Sequence, residues 1–308
     1  MTDEEQEHSA LDDQASAVPV NPLVEELAEA WLAEQAQPEY LALCIAIKDQ
    51  QRDMHEFLVH HYYHMNVSRF YIMDDRSDPP LSTYEDFGIP RSALTFNYYG
   101  PEYAAELPPG FMQLWLYDEC AKLYRDKHTW IGFIDVDEFI EIKTDETMED
   151  ILMELEEDTR VGELSINWVT HISAGLLERP ASSRQSFTEC IDPDLDASRG
   201  DDGVDRHVKS IVKTAYFEQA HSSHMPSLSD GTIPVGEDGE VVSPGFAWRE
   251  PVTRHRLALH HYVTKSKQEY VEKMERWKDD LGAREWDFWD KLHAGNTTFC
   301  PEMARYSP

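Results

Sequence analysis

Residues 40–75, YLALCIAIKDQQRDMHEFLVHHYYHMNVSRFYIMDD, decide how the rest of this chain is read. YLALCIAI (40–47) is a continuous apolar run, the mark of a strand covered on both faces. Residues 53–65 have helical character, and SRFYIMD (68–74) reads as a second strand. Strand, helix and strand in succession argue for a parallel α/β sheet.

The pattern continues outward. SALTFNYY (92–99) reads as a third strand and TWIGFI (129–134) as a fourth. Between them FMQLWLYDECAKLYRD (111–126) repeats apolar positions at helical spacing through Leu114, Tyr117, Ala121 and Tyr124. Three strands end in polar residues: Lys48-Asp49, then Asp74 to Asp78, then Asp135-Val136-Asp137. Ligands of parallel sheets gather outside the carboxyl ends of the strands, so a crevice is expected along that edge.

Asp135 and Asp137 are two apart. On an extended chain they face the same way while Val136 packs inward. Two carboxylates, completed by water and substrate oxygens, suit Mg²⁺ or Mn²⁺, and such a cation could hold a nucleotide's diphosphate. The competing reading is a strand that ends in solvated acids. Asp74 to Asp78 could hydrogen-bond a ribose or base, or form an Asx-turn extended by Pro79-Pro80.

The second half is less regular. RVGELSINWVTHI (160–172), HVKSIVK (207–213) and LALHHYV (257–263) read as strands, KSKQEYVEKMERWKDD (265–280) as a charged helix, and 173–206 as a long polar loop. His60 and His64 are one helical turn apart, a zinc spacing, but His61 stands where a zinc protease motif has Glu. Packing and capping is the preferred reading. His260 and His261 end a strand, so only one of them can reach the crevice. Lys209-Ser210 and Lys265-Ser266 set charge beside hydroxyl, a pairing that could hold phosphate oxygens or lie idle on the surface.

The 308 residues carry 60 acidic against 27 basic side chains, a formal charge of −33. That excess opposes nucleic acid and anionic membrane as partners. No apolar run reaches the length of a membrane span, and MTDEEQEHSA does not read as a signal peptide. Residues 1–37 are expected to be an acidic, largely disordered segment with a short amphipathic helix, ahead of one domain over 38–308. Cys44 and Cys120 read as core thiols, while Cys190 and Cys300 could pair in an oxidising compartment.

Five segments in order, LALCIAIKDQQRDMHEFLVHHYYHMNVSRFYIMDDRSDPP (41–80), KHTWIGFIDVDEFIEI (127–142), SINWVTHISAG (165–175), HVKSIVK (207–213) and LALHHYVTKSKQEYVEKMERW (257–277), resemble glycosyltransferase family 92, in particular its fungal members. The resemblance implies a GT-A fold and Mn²⁺-dependent, inverting transfer of a sugar, galactose from UDP-galactose above all, to a glycan acceptor. It implies metal binding by Asp135, Asp137 and His261. Asp49, Asp74 and Asp75 fall where the nucleotide should lie, and Lys209 and Lys265 where diphosphate contacts are expected. Lys48-Asp49-Gln50 departs from the family's usual Lys-Asn-Glu. Many members carry a Golgi anchor, and this chain's localisation stays open. Inversion needs a general base; Glu138 and Asp205 are candidates by sequence position. An aspartyl-phosphate hydrolase would carry Thr or Ser where Phe139 stands, and an inactive carbohydrate-binding or scaffolding protein is the non-enzyme alternative.

Overall fold

Strand β1 (Glu39–Ile47) lies inside a nine-stranded sheet and is buried on both faces, as its unbroken apolar run requires. The computed structural model describes residues 39–243, 247–281 and 286–306. Glu39 to Pro308 form one compact unit. The acidic segment and short helix expected over 1–37 lie outside the described residues.

Helix α1 (Gln51–Val59) carries the chain to β2 (Arg69–Asp75), parallel to β1, and β3 (Leu94–Tyr99) adds in parallel beyond β2. Helix α2 (Met112–Tyr124) returns the chain to β4 (His128–Phe133), parallel to β1 on its other side. Strand β5 (Glu138–Ile142) and helix α3 (Met148–Leu155) follow. Next come β6 (Val161–Thr170), a short β7 (Glu189–Ile191) and β8 (Val208–Lys213). β9 (Phe217–Ala220) and β10 (Pro226–Leu228) form a separate ribbon. β11 (Ile233–Val235) and β12 (Leu257–His261) pair with opposite halves of β6, both in parallel. Helices α4 (Lys267–Leu281) and α5 (Trp286–His293) precede β13 (Thr297–Phe299), which pairs with β7.

The sheet order is β3-β2-β1-β4-β8-β6-β12-β5, with β11 on β6. It is mostly parallel; β8 runs antiparallel to β4 and β6, and β5 antiparallel to β12. Alternation along β1 divides the core. Leu41, Leu43, Ile45 and Ile47 pack on one face with Phe57 and Leu58 of α1, whereas Ala42 and Cys44 pack on the other with Leu116, Tyr117 and Cys120 of α2.

Four readings from sequence are revised. Cys44 and Cys120 are not thiols; they form a disulfide between β1 and α2, while Cys190 and Cys300 are free and buried. The segment 173–206 is no plain loop. It contains helices Ser183–Ser186 and Pro193–Ser198 as well as β7, and it buries Arg184, whose guanidinium is held by Glu56 and His60. The acidic residues after β4 are a tight turn rather than extended chain, because Glu138 N–H bonds back to the Asp135 carbonyl at 3.0 Å to start β5. The HHYYH run leaves the α-helix in a π-helical turn, His60–His64.

That turn has a purpose in the sheet. β5 is an edge strand, and an unpaired edge offers its backbone groups to any other chain. Here His60 Nε2–H donates to the Ile140 carbonyl at 2.7 Å, while Ile140 N–H lies 3.4 Å from His61 Nε2. The two imidazoles occupy the edge as a neighbouring strand would. Phe139, 2 % exposed, locks this arrangement by packing on Phe57, His60, His61 and Tyr262. Phe139→Ala is expected to lower unfolding free energy by about 3–5 kcal/mol in urea titration; a loss below about 1 kcal/mol would mean that the packing is not needed.

Candidate active site

All the polar chain ends meet on one edge. The carboxyl ends of β1, β4, β6 and β12 point there, and the antiparallel β8 and β5 bring their beginnings to the same place. A cleft of about 270 Å³ opens between them. Ala46 and Gln50 line one side, and Asp135, Val136 and Asp137 the centre. Trp168, His207, His224 and His261 form the opposite wall, and Lys273 of α4 and Phe288 of α5 also line the cleft.

Each central carboxylate is held by a cation. Asp135 Oδ1 accepts from Gln113 Nε2 at 2.8 Å and from the Tyr117 hydroxyl at 3.2 Å, and Asp135 Oδ2 accepts from Lys209 Nζ at 2.9 Å. Asp137 Oδ2 accepts from Lys273 Nζ at 2.8 Å, and Oδ1 stands 3.7 Å from His261 Nε2. Burial alone would raise the Asp137 pKa, but the Lys273 and Lys265 ammonium groups hold it well below the usual carboxylate range. Lys209 is buried, which disfavours its charge, yet Asp135 and Glu138 outweigh that and raise its pKa. Burial drives the His261 ring well below its ordinary value, so it is a neutral imidazole at physiological pH.

Of the residues expected at the site, Asp135, Asp137 and His261 line this cleft together. His260 faces away, bonded to Glu141 at 2.9 Å and to His171 at 2.8 Å. Asp49, Asp74 and Asp75 stand at the ends of β1 and β2 but do not line the cleft. Asp74 accepts from the Ser77 and Leu81 N–H groups, three and seven residues on, so it braces the loop after β2; Asp49 accepts from Asp78 N–H, and Asp75 pairs with Arg76.

The Lys-Ser pairs are divided by secondary structure. Strand alternation sends Lys209 to Asp135 and Ser210 to the other face, where its hydroxyl lies 2.5 Å from Glu163 Oε1. Lys265 donates to Asp53 at 2.6 Å, and Ser266 caps α4 in a reciprocal pair with Glu269.

The two base candidates lie off the cleft. Glu138 is fully buried; its Oε2 accepts from Asp135 N–H at 2.8 Å, and burial, reinforced by the two aspartates against Lys209, pushes its pKa up to about 8. Asp205 accepts from Thr170 N–H at 2.9 Å and from Arg254 at 3.0 Å.

Gln113, Trp168, His207, His224 and Lys273 were not read from sequence. Lys273 looks like any solvated helix lysine in KQEYVEKMERW, and Gln113 is one polar residue in the first turn of a helix read for its apolar positions. Neither spacing nor alternation flags His207 or His224, because they come from segments remote from each other and from His261.

A mostly parallel α/β sheet with an acid-lined crevice at the carboxyl ends of its strands is the architecture in which such folds bind their ligands. The family model for glycosyltransferase family 92 matches residues 111–294, and the chain belongs to that family. It is 27% identical over 124 residues to a glycosyltransferase family 92 protein of Oryza sativa subsp. japonica, a match covering 40% of this chain and 20% of the relative. It is 25% identical over 146 residues to one of Ricinus communis, covering 47% and 25%. The matched stretch therefore spans a quarter or less of these curated relatives.

Beneath the cleft, Glu163 is fully buried on β6 with Ser165 and Ser210 at Oε1 and no partner at Oε2. Burial pushes its pKa up to about 7 from 4.5, so the folded state binds its proton more tightly than the unfolded chain. Its contribution is full below pH 4.5 and is lost as pH rises through 7, on the order of 3 kcal/mol in total. Glu163→Gln should flatten the fall in stability across that window, read by denaturant titration at pH 5 and pH 8. An unchanged slope would show that Glu163 titrates as an ordinary carboxylate.

Proposed function

We propose that this chain is a divalent-metal-dependent, inverting glycosyltransferase of the GT-A type. It would move a hexose, galactose first among the choices, from a UDP-linked donor to a hydroxyl of a glycan acceptor. The observation that carries this reading is the convergence of Asp135, Asp137 and His261 on one cleft, with the ammonium groups of Lys209 and Lys273 against the two carboxylates.

The donor set fits a hard or borderline cation: two carboxylates and a neutral imidazole suit Mn²⁺ or Mg²⁺ with further oxygens from the ligand. Among the described residues no three His, Cys, Asp or Glu already stand at coordinating distance. His261 turns Nε2 toward Asp137 Oδ1 at 3.7 Å, while Nδ1 stands 4.0 Å from Glu138 Oε1. A bound cation would supply counter-charge to the leaving diphosphate.

The chain's own residues do the rest. Gln113 and Tyr117 fix the Asp135 carboxylate from one side, which removes its rotational freedom before any ligand arrives. Lys209 and Lys273 offset negative charge locally in a molecule of charge −33, so a nucleoside diphosphate is not simply repelled. Ala46 and Gln50 at the end of β1 provide the nucleotide side. Trp168 offers an aromatic surface on the far side, and Val263, Phe288 and Leu292 an apolar one that excludes water.

Calorimetry with UDP, with and without Mn²⁺, tests the reading. Affinity should rise at least tenfold with the metal in the wild type, and Asp137→Asn should lose that increment while a thermal scan shows it folded. Equal affinity in both buffers would remove the metal from the proposal, and a screen for released UDP, GDP or CMP from sugar nucleotides then decides the donor class.

A further inference from the structure

Inverting transfer requires a proton acceptor at the attacking hydroxyl, and the cleft's carboxylates are engaged otherwise. Asp135 carries Gln113, Tyr117 and Lys209, and Asp137 carries Lys273. Glu138 closes the turn after β4, and Asp205 is tied to Thr170 and Arg254; neither lines the cleft. Among the described residues lining it, the titratable groups that remain are Lys273 and the imidazoles of His207, His224 and His261. His261 stands beside Asp137, within the proposed metal set.

His207 is set up differently. Its Nδ1 lies 2.9 Å from the Val204 carbonyl, which can only accept, so Nδ1 carries the hydrogen and Nε2 carries the lone pair. Its ring stacks on Trp168 at 5.0 Å between centroids and stands 5.1 Å from His224 and 6.0 Å from Trp248, which fixes its plane. The residue is half-buried, at the wall opposite β1, where an acceptor must enter if the nucleotide lies toward Ala46 and Gln50. His224 has the same tautomer, through the Val208 carbonyl at 3.0 Å, but burial and Lys209 push its pKa down to about 3, leaving it the weaker base.

We propose that His207 is the general base of the transfer, a reading that rests on the glycosyltransferase function above. Nε2 takes the proton of the acceptor hydroxyl as that oxygen forms its bond to the anomeric carbon of the nucleotide sugar. The bond from that carbon to the diphosphate oxygen breaks, and its electron pair leaves on the nucleoside diphosphate. The imidazolium then gives its proton to solvent, so the ring returns to its starting state. The charged groups around the ring are Arg206, Asp196 and Lys291, with neutral His224 beside it. Burial, with Arg206 and Lys291, lowers its pKa against the opposing pull of the Val204 carbonyl and Asp196, which keeps the ring neutral and able to accept at pH 7.

The test uses His207→Asn, whose side-chain amide keeps a donor for Val204 but has no nitrogen at the Nε2 position, and His207→Gln as a second variant. The rate of UDP release from UDP-galactose is measured with Mn²⁺, with water and with a panel of alkyl glycosides as acceptors, alongside UDP affinity by calorimetry. Both variants are expected to lose roughly 100-fold or more in kcat while binding UDP within about twofold of wild type. The wild-type rate should fall tenfold per pH unit on an acid limb below the ordinary imidazole range, and that limb should vanish in the variants. Added imidazole should restore part of the lost rate in His207→Asn. If the wild type turns over and either variant that binds UDP normally keeps its rate within about threefold, or keeps the acid limb, the base assignment is overturned and the transferase reading stands. If the wild type neither binds UDP nor releases it from any sugar nucleotide, the transferase reading falls and this assignment falls with it.

Discussion

A carboxylate taken out of water must find a positive partner, and the whole cleft is organised around that requirement. Asp135 and Asp137 occupy a turn at the centre of the sheet edge, where an acidic chain would ordinarily repel further negative charge. Lys209 from β8 and Lys273 from α4 meet them at 2.9 and 2.8 Å. Because those lysines come from elements remote in sequence, β8 and α4 must both dock correctly before the carboxylates are tolerable. The site and the second half of the fold are thus mutually dependent.

The strand directions make this possible. The parallel half, β3-β2-β1-β4, brings acidic and polar termini to one edge, as such sheets do. The antiparallel members then contribute their beginnings instead of their ends: His207 and Lys209 at the start of β8, Glu138 at the start of β5. β12 runs parallel to β6 and delivers His261 at its tip. A sheet with every strand parallel would have carried His207 and Lys209 to the opposite edge. The covering of β5 by His60 and His61 follows from the same arrangement, since the strand that holds Glu138 is also an edge of the sheet.

Much of this was legible in the residues. The unbroken apolar run of β1 announced burial on both faces, and the polar ends of three strands announced a crevice. Strand alternation sends the two neighbouring rings apart: His261 lines the cleft and His260 bonds Glu141 and His171. The Lys-Ser pairs show the opposite case. Adjacent residues on a strand cannot serve one ligand, and Ser266 is committed to capping α4 through Glu269. The Cys44–Cys120 bond was also hidden, because a strand thiol and a helix thiol look like two ordinary core residues until packing sets their Cα atoms 6.4 Å apart.

By itself the sequence determined local matters: that the runs at 40–47, 68–74, 92–99, 129–134, 160–172, 207–213 and 257–263 are strands, that 111–126 and 265–280 are helical, and that polar or acidic residues end three of those strands. These depend on side-chain periodicity and capping, which act within a few residues. Only the tertiary structure decided which cation answers which carboxylate, which imidazole nitrogen keeps its lone pair, and that the D-V-D segment turns instead of running on. Those outcomes depend on distances between elements separated by 74 residues for Lys209 and Asp135 and 136 for Lys273 and Asp137, and no local pattern encodes a distance of that kind.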